Sequence, residues 1–286
     1  MSNELPSHIQ KKIYRYEPIE LEGFMLHPVT VEQYDDFRYA SVALGFMTQT
    51  LPVDLMSIPL LSAFYKMDFE KISNGERASG LWTSALVGIA MALRLSHGDK
   101  TAADAVKRIE IHSDSNDPSR LKYIKFRVDG ELIQTITPYQ YADMRKIIAA
   151  QNGVEIPDEL DNPELVKSEQ DIASEKAPKL EYRIEDLVSA AAAFTGKEEA
   201  EIYGWPLLKL SRRLAAFRRV FDYMICGIGA SQGTTWKGGN PAPHPWLDRK
   251  KGWSDAMMPI ENFMRGAGVT AMQEAGVNLS SNGVNA

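Results

Sequence analysis

Leu207, Leu210, Leu214, Phe217, Phe221, Met224 and Ile228 recur at alternating spacings of three and four residues. Side chains return to one face of an α-helix about every 3.6 residues, so this run predicts one long helix with a continuous apolar seam. Lys209, Arg212, Arg213, Arg218 and Arg219 flank the seam. Any fold containing it must cover the stripe, with its own residues or with a partner's. Stripes of this kind are ordinarily core in helical domains, so packing within the chain, for instance against a helix over Ile184 to Phe194, is the preferred reading. The alternative is a partner-binding surface made of Leu207, Leu210, Arg212, Arg213, Leu214, Phe217 and Phe221, extended by Trp236 and Trp246 in the Gly/Pro-rich loop beyond.

The chain has 286 residues, 44% hydrophobic and 24% charged, a globular composition long enough for one large domain or two modest ones. A net charge of −6 argues against a general nucleic-acid scaffold and leaves open only a local basic patch on the seam helix. The single cysteine, Cys226, excludes an intrachain disulfide and fits a reducing compartment. Met1 to Lys12 is polar, so no secretory signal is expected. Leu81 to Leu95, the most apolar stretch, is shorter than the ~20 residues a bilayer requires and contains Arg94, so it reads as a buried helix.

Ile19 to Val29 reads as a short strand entering a turn at His27-Pro28, and Thr30 with Gln33 makes a capping box. The helix that follows sets Tyr34, Phe37, Ser41 and Leu44 on one face. Pro52 and Pro59 break the next stretch, whose Leu55, Met56, Leu60, Leu61 and Phe64 predict short packed helical pieces. Leu81 to Ser96 predicts the central helix, closed by Gly98. Strands follow at Arg108 to His112 and on either side of Asp129-Gly130, a strong hairpin signal. Thr137-Pro138-Tyr139-Gln140 then starts a helix carrying Met144, Ile147 and Ile148 that ends at Asn152-Gly153. The fold class expected is α+β: N-terminal helices on a small, mainly antiparallel sheet, then an all-helical C-terminal half. The expected divisions are an N-terminal domain over 1–153, a charged linker over 154–179, a helical domain over 180–275 and a disordered tail over 276–286. Within the linker, Asn162-Pro163 can start a charged helix over Glu164 to Glu175.

No reaction centre emerges. His8, His27, His97, His112 and His244 are scattered, without ligand spacing, so no metal is expected. Cys226 has no histidine near it in sequence and reads as a small buried hydrophobe. Gly227-Ile228-Gly229-Ala230 fails as a dinucleotide motif, because position 232 is Gln and a helix precedes it; the glycines read as a helix end. Asp35-Asp36 and Glu198-Glu199 sit near helix N-termini, where carboxylates suit the macrodipole. No cofactor and no catalytic residue is assigned.

Three stretches carry a resemblance. They are Leu21-Glu22-Gly23-Phe24 running into His27-Pro28-Val29-Thr30-Val31 with Tyr34 and Phe37; the Asp129-Gly130 hairpin with Thr137-Pro138 and Ile147 to Gly153; and Ile184-Glu185-Asp186-Leu187, Ala200-Glu201-Ile202-Tyr203, the seam helix with Asp222-Tyr223, Trp236-Lys237-Gly238 and His244-Pro245-Trp246. In this order they resemble proteins of tail-morphogenesis regions in phages and prophages, the C-terminal part resembling tail assembly chaperones of long-tailed phages. The resemblance implies a non-enzymatic protein of the host bacterial cytoplasm. It would bind the tape-measure protein and help the tail tube protein polymerise around it; apart from the resemblance, the short apolar stretch argues against a membrane partner and the net charge against nucleic acid. Competing readings are a structural virion component (minor tail or connector protein), a nucleic-acid-binding regulator using the arginine face, and an enzyme using His244 and the Trp236 to Trp246 loop. A homo-oligomer is left open.

Overall fold

The computed structural model describes residues 5–95, 109–128, 131–157 and 183–234, with isolated positions at 106, 162, 164, 165, 168, 242, 244 and 245. The elements in chain order are α1 (Ser7–Tyr14), β1 (Ile19–Leu21), β2 (Phe24–Leu26), α2 (Tyr34–Leu44), α3 (Leu60–Ser73), α4 (Leu81–Ala92), β3 (Ile109–Ser113), β4 (Leu121–Val128), β5 (Glu131–Ile136), α5 (Gln140–Asn152), α6 (Ile184–Thr195), α7 (Glu199–Tyr203) and α8 (Leu207–Ser231). The fold is α+β, with helices and two small antiparallel sheets in the N-terminal part and helices in the described C-terminal part.

The centre is α4. Eleven of its twelve residues are buried, all but Thr83, because Trp82, Leu86, Ile89 and Met91 point in different directions around a helix that neighbours enclose. Its closest neighbour is α2, which approaches along Ala40 and Ala43; a Cβ placed on Gly88 would sit 3.6 Å from the Ala40 Cβ. Ser84 Oγ locks the pair by donating to the Tyr39 carbonyl (2.8 Å) and accepting from the Ala43 N–H (3.0 Å). The end of α4 comes earlier than Gly98, which lies outside the described residues. Arg94 takes the left-handed conformation (φ +52°), and the Leu95 N–H closes back on the Ala90 carbonyl at 2.9 Å. Leu95 is buried there, supplying the apolar contact that such an end uses.

Ile19 to Val29 is a hairpin rather than one strand. Glu22 (φ +48°) and Gly23 (φ +84°) form a two-residue turn with both centres in the left-handed region, and Leu21 pairs with Phe24. The twist of such a turn matches that of the strands it joins. The capping box at Thr30 and Gln33 is present, opening a single 3-10 turn over Val31–Gln33 that continues into α2. On α2 the buried stripe is Phe37, Ala40, Ala43 and Leu44, with Ser41 only half-buried. After Pro59 there is one 14-residue helix, α3, not short pieces, and Met56 is exposed before it.

β3, β4 and β5 form a three-stranded antiparallel sheet in sequence order, with Ile124 and Phe126 facing the core. Val128 pairs with Glu131 on either side of Asp129-Gly130, the hairpin expected there, although those two residues lie outside the described ones; the register then shifts by one between Arg127, paired with Leu132, and Phe126, paired with Gln134. α5 starts where the Gln140 side chain accepts from the Thr137 N–H (2.9 Å), and it ends at Gly153 (φ +73°). Its buried Arg145 reaches back to the end of α2, donating Nε to the Leu44 carbonyl (2.8 Å) and another guanidinium N–H to the Phe46 carbonyl. Carbonyls orphaned by a helix terminus thus gain a charged donor in place of water. Burial holds the Arg145 guanidinium below its ordinary range.

The C-terminal helices complete the same core. Leu187, Val188, Ile202, Leu207, Leu208, Leu210 and Leu214 belong to one contiguous cluster with Ile13, Leu26, Ile89 and Ile148. The join is a backbone ladder: the Val31 N–H donates to the Trp205 carbonyl (2.8 Å) and the Leu207 N–H to the Val29 carbonyl (2.9 Å), with Thr30 bridged to Pro206. Asn152 of α5 fixes the same segment by accepting from the Val29 N–H (2.8 Å) while donating to the Ile148 carbonyl (2.8 Å). Most of 154–179 lies outside the described residues. Within it the Glu164 N–H donates to Asn162 Oδ1 (3.0 Å), a cap of the kind that starts a helix, while most of the charged helix expected over Glu164 to Glu175 lies outside the described residues. The expected tail over 276–286 also lies outside them.

Two outcomes follow from the ladder. Asn152→Ala leaves the buried Val29 N–H unpaired and should cost about 1–3 kcal/mol in denaturant unfolding. Protease cutting between 158 and 182 should yield two fragments that still elute together from a sizing column and separate only in denaturant; separation in native buffer would show the shared core to be too weak to hold them.

Candidate functional site: the outer half of the long helix

α8 is one helix from Leu207 to Ser231, as the seam predicts. It runs through Gly227 and Gly229 instead of ending there. The end is set by Gly233 (φ +82°), with the Thr234 N–H closing on the Gly229 carbonyl at 2.9 Å. Glycine within a helix costs up to about 1 kcal/mol against alanine, an amount the flanking turns absorb here.

The seam divides at Leu214. Leu207, Leu210 and Leu214 are buried in the chain's own core, with Leu208 against Gly153, where a Cβ would come within 3.3 Å of Leu208 Cδ1. So three of the residues weighed as partner contacts face inward. Beyond them Phe217 is half-buried, and Phe221, Met224 and Ile228 are exposed, as are Tyr223 and Ile225 beside them. The cause is length: α6 ends at Thr195, and α8 continues past it. At that edge Phe194 of α6 is exposed, its ring centroid 4.8 Å from Phe217 and 5.3 Å from Phe221. Phe194 continues the inward stripe Ile184, Leu187, Val188 and Ala191 by one more step, which is the signal in the sequence that marks it.

The flanking bases are not a uniform cationic face. The Arg212 guanidinium lies 4.4 Å from the Tyr14 ring centroid and 5.8 Å from that of Tyr16, which ties α8 to α1. Lys209 Nζ sits 4.2 Å over the Trp205 ring. Arg218 pairs with Asp222 one turn on (3.5 Å). Arg213 is exposed. Cations over aromatic rings contribute about 0.5–2 kcal/mol each and serve packing as much as charge. Trp236 and Trp246 lie outside the described residues.

The remaining polar candidates have structural surroundings. Cys226 is buried on the side of α8 away from the seam; burial pushes its thiol up, opposed by a hydrogen bond with the Ala242 backbone, while Asp222 raises it further. His27 is held below its ordinary range by burial and then by Arg94. His112 stacks on Tyr123 at 4.5 Å, and His244 is exposed. Asp35 and Asp36 lie in the first turn of α2, and Glu199 in that of α7, where its carboxylate accepts from Ser189 Oγ (2.6 Å). Among the described residues no cluster of His, Cys, Asp or Glu could hold a metal, and no helix is long and apolar enough to cross a membrane.

No family model, curated protein or solved structure gives a significant match to this chain.

The division of the seam predicts opposite responses along one helix. Leu214→Asp places an unpaired charge in the core and should destabilise by several kilocalories per mole in thermal or denaturant melts. Met224→Asp, three turns on, should stay within about 0.5 kcal/mol of the parent. Equal destabilisation by both would mean that the outer half is also core.

Proposed function

We propose that this chain is a non-enzymatic assembly chaperone of a long-tailed phage or prophage. It acts in the host bacterial cytoplasm and holds the tape-measure protein while the tail tube protein polymerises around it. The observation that supports this reading is the outer half of α8. Phe217, Phe221, Met224 and Ile228, with Phe194 beside them, leave an apolar helical face uncovered by the described residues. A face of this form accepts an amphipathic helix laid along it, with anchors every three to four residues. Its make-up, aromatic and methionine side chains at the centre and arginine at the edge, is that of an interface core with a polar rim. Met224 adds adaptability, because an unbranched thioether repacks against different partners. A tape-measure protein is a long helix whose apolar face needs cover before the tube encloses it.

Co-expression with the tape-measure protein and affinity purification test the reading. The double variant Met224→Asp with Ile228→Asp should lose the partner while melting like the parent. Arg213→Glu should weaken binding modestly, and chiefly at low salt, since rim charges steer association more than they hold it. Retention of the partner by the double variant, or no co-purification with the parent chain, would remove this function from the protein.

A further inference from the structure

We propose that the outer half of α8 is covered, before a partner arrives, by a segment of the same chain: residues 253–264, Trp253 to Met264. The inference rests on reading this face as the binding site, but its test needs no partner.

Three observations favour this occupant. The first is the path of the chain. α8 ends at Ser231, yet the Ala242 backbone hydrogen-bonds Cys226, so the chain has turned back along the helix it has just left. From Cys226 to Phe217 is about 14 Å along the axis at the helical rise. The stretch from Pro245 to Ile260 can span up to about 50 Å when extended, enough to pass round α8 from the Cys226 side to the seam.

The second is pattern. Ile260, Phe263 and Met264 have the i, i+3, i+4 spacing of one helical face, with Trp253 and Met257 as further apolar residues ahead of them. Pro259 suits the first position of a helix, after which Ile260, Phe263 and Met264 share a face. These residues lie outside the described ones, so the argument from them is one of sequence alone.

The third is charge. Residues 253–264 carry Asp255 and Glu261 and no lysine or arginine, whereas the seam from Arg213 onward carries Arg213, Arg218 and Arg219 against Asp222. Opposite net charges fix which surfaces meet. Because both belong to one chain, the effective concentration is that of a tethered ligand, and a weak contact suffices to cover the face while yielding to a stronger partner. A second copy of the chain lacks this advantage at low concentration.

Methionine oxidation tests the proposal in the full chain. Met25, Met56 and Met224 are similarly exposed among the described residues, at 47%, 50% and 53%. Dilute peroxide converts an accessible thioether to the sulfoxide, with the oxygen coming from peroxide and water leaving, and peptide mass spectrometry reads each site. The expected result is that Met224 oxidises several-fold more slowly than Met25 and Met56. The variant Ile260→Ser/Phe263→Ser/Met264→Ser should raise Met224 to their rate without altering theirs. Equal rates in the parent chain would overturn the proposal. So would slow Met224 oxidation that the triple variant leaves unchanged, and a rate that rises on dilution would assign the cover to a second copy. If protection behaves as expected but no tape-measure protein binds, the assembly reading fails and the self-covering segment stands.

Discussion

The backbone of Val29 is the point on which the arrangement of the two ends of the chain depends. Its N–H is held by Asn152 at the end of α5 and its carbonyl by the first N–H of α8. Both groups are shielded from water, so each bond avoids the penalty of a buried unpaired amide. A helix N-terminus also needs acceptors for its free N–H groups, and here one comes from a segment far away in sequence. Helix α8 is therefore anchored at its start, and everything it does further along is set by that anchor.

Around this join, a few buried polar side chains fix how the helices meet. Ser84 binds α4 to α2, Arg145 finishes the end of α2 from α5, and Asp68 accepts from the Ser79 backbone and hydroxyl ahead of α4. Apolar packing alone is non-directional and tolerates sliding. Each of these groups fixes one register, because displacement would leave a donor or acceptor buried without a partner. The small residues Ala40 and Gly88 then let α2 and α4 approach closely enough for those bonds to form.

Being anchored at one end and longer than its neighbour, α8 has two environments on one apolar stripe. Up to Leu214 the stripe is core; past Phe217 it is surface. The aromatic cluster of Phe194, Phe217 and Phe221 marks the boundary, where the last turn of α6 still reaches it. An apolar helical face beyond a well-packed core is a place to receive another helix, and this is the physical content of the assembly reading and of the self-covering segment alike.

Much of the architecture is legible in local pattern. The 3/4 spacing from Leu207 to Ile228 specifies α8, the Thr30/Gln33 pair the cap ahead of α2, and Asp129-Gly130 the pairing of Val128 with Glu131, since each depends on contacts between near neighbours. Where local signals compete, sequence misleads. Gly227 and Gly229 look like a stop, yet the helix passes through them because the better-formed end lies at Gly233. Arg94 ends α4 in a conformation for which glycine is the usual choice, held by the burial of Leu95. The helix Ser7–Tyr14 rests on little more than Ile9 and Ile13 in a polar stretch, and the Arg212 to Tyr14 contact that docks it joins residues far apart in the chain. Sequence determined that α8 has an apolar side, because periodicity is a property of the helix itself. Only tertiary structure decided which part of that side is buried, because burial depends on how far a neighbouring helix extends, and neither the length of α6 beside α8 nor the anchor at Val29 is written in the stripe.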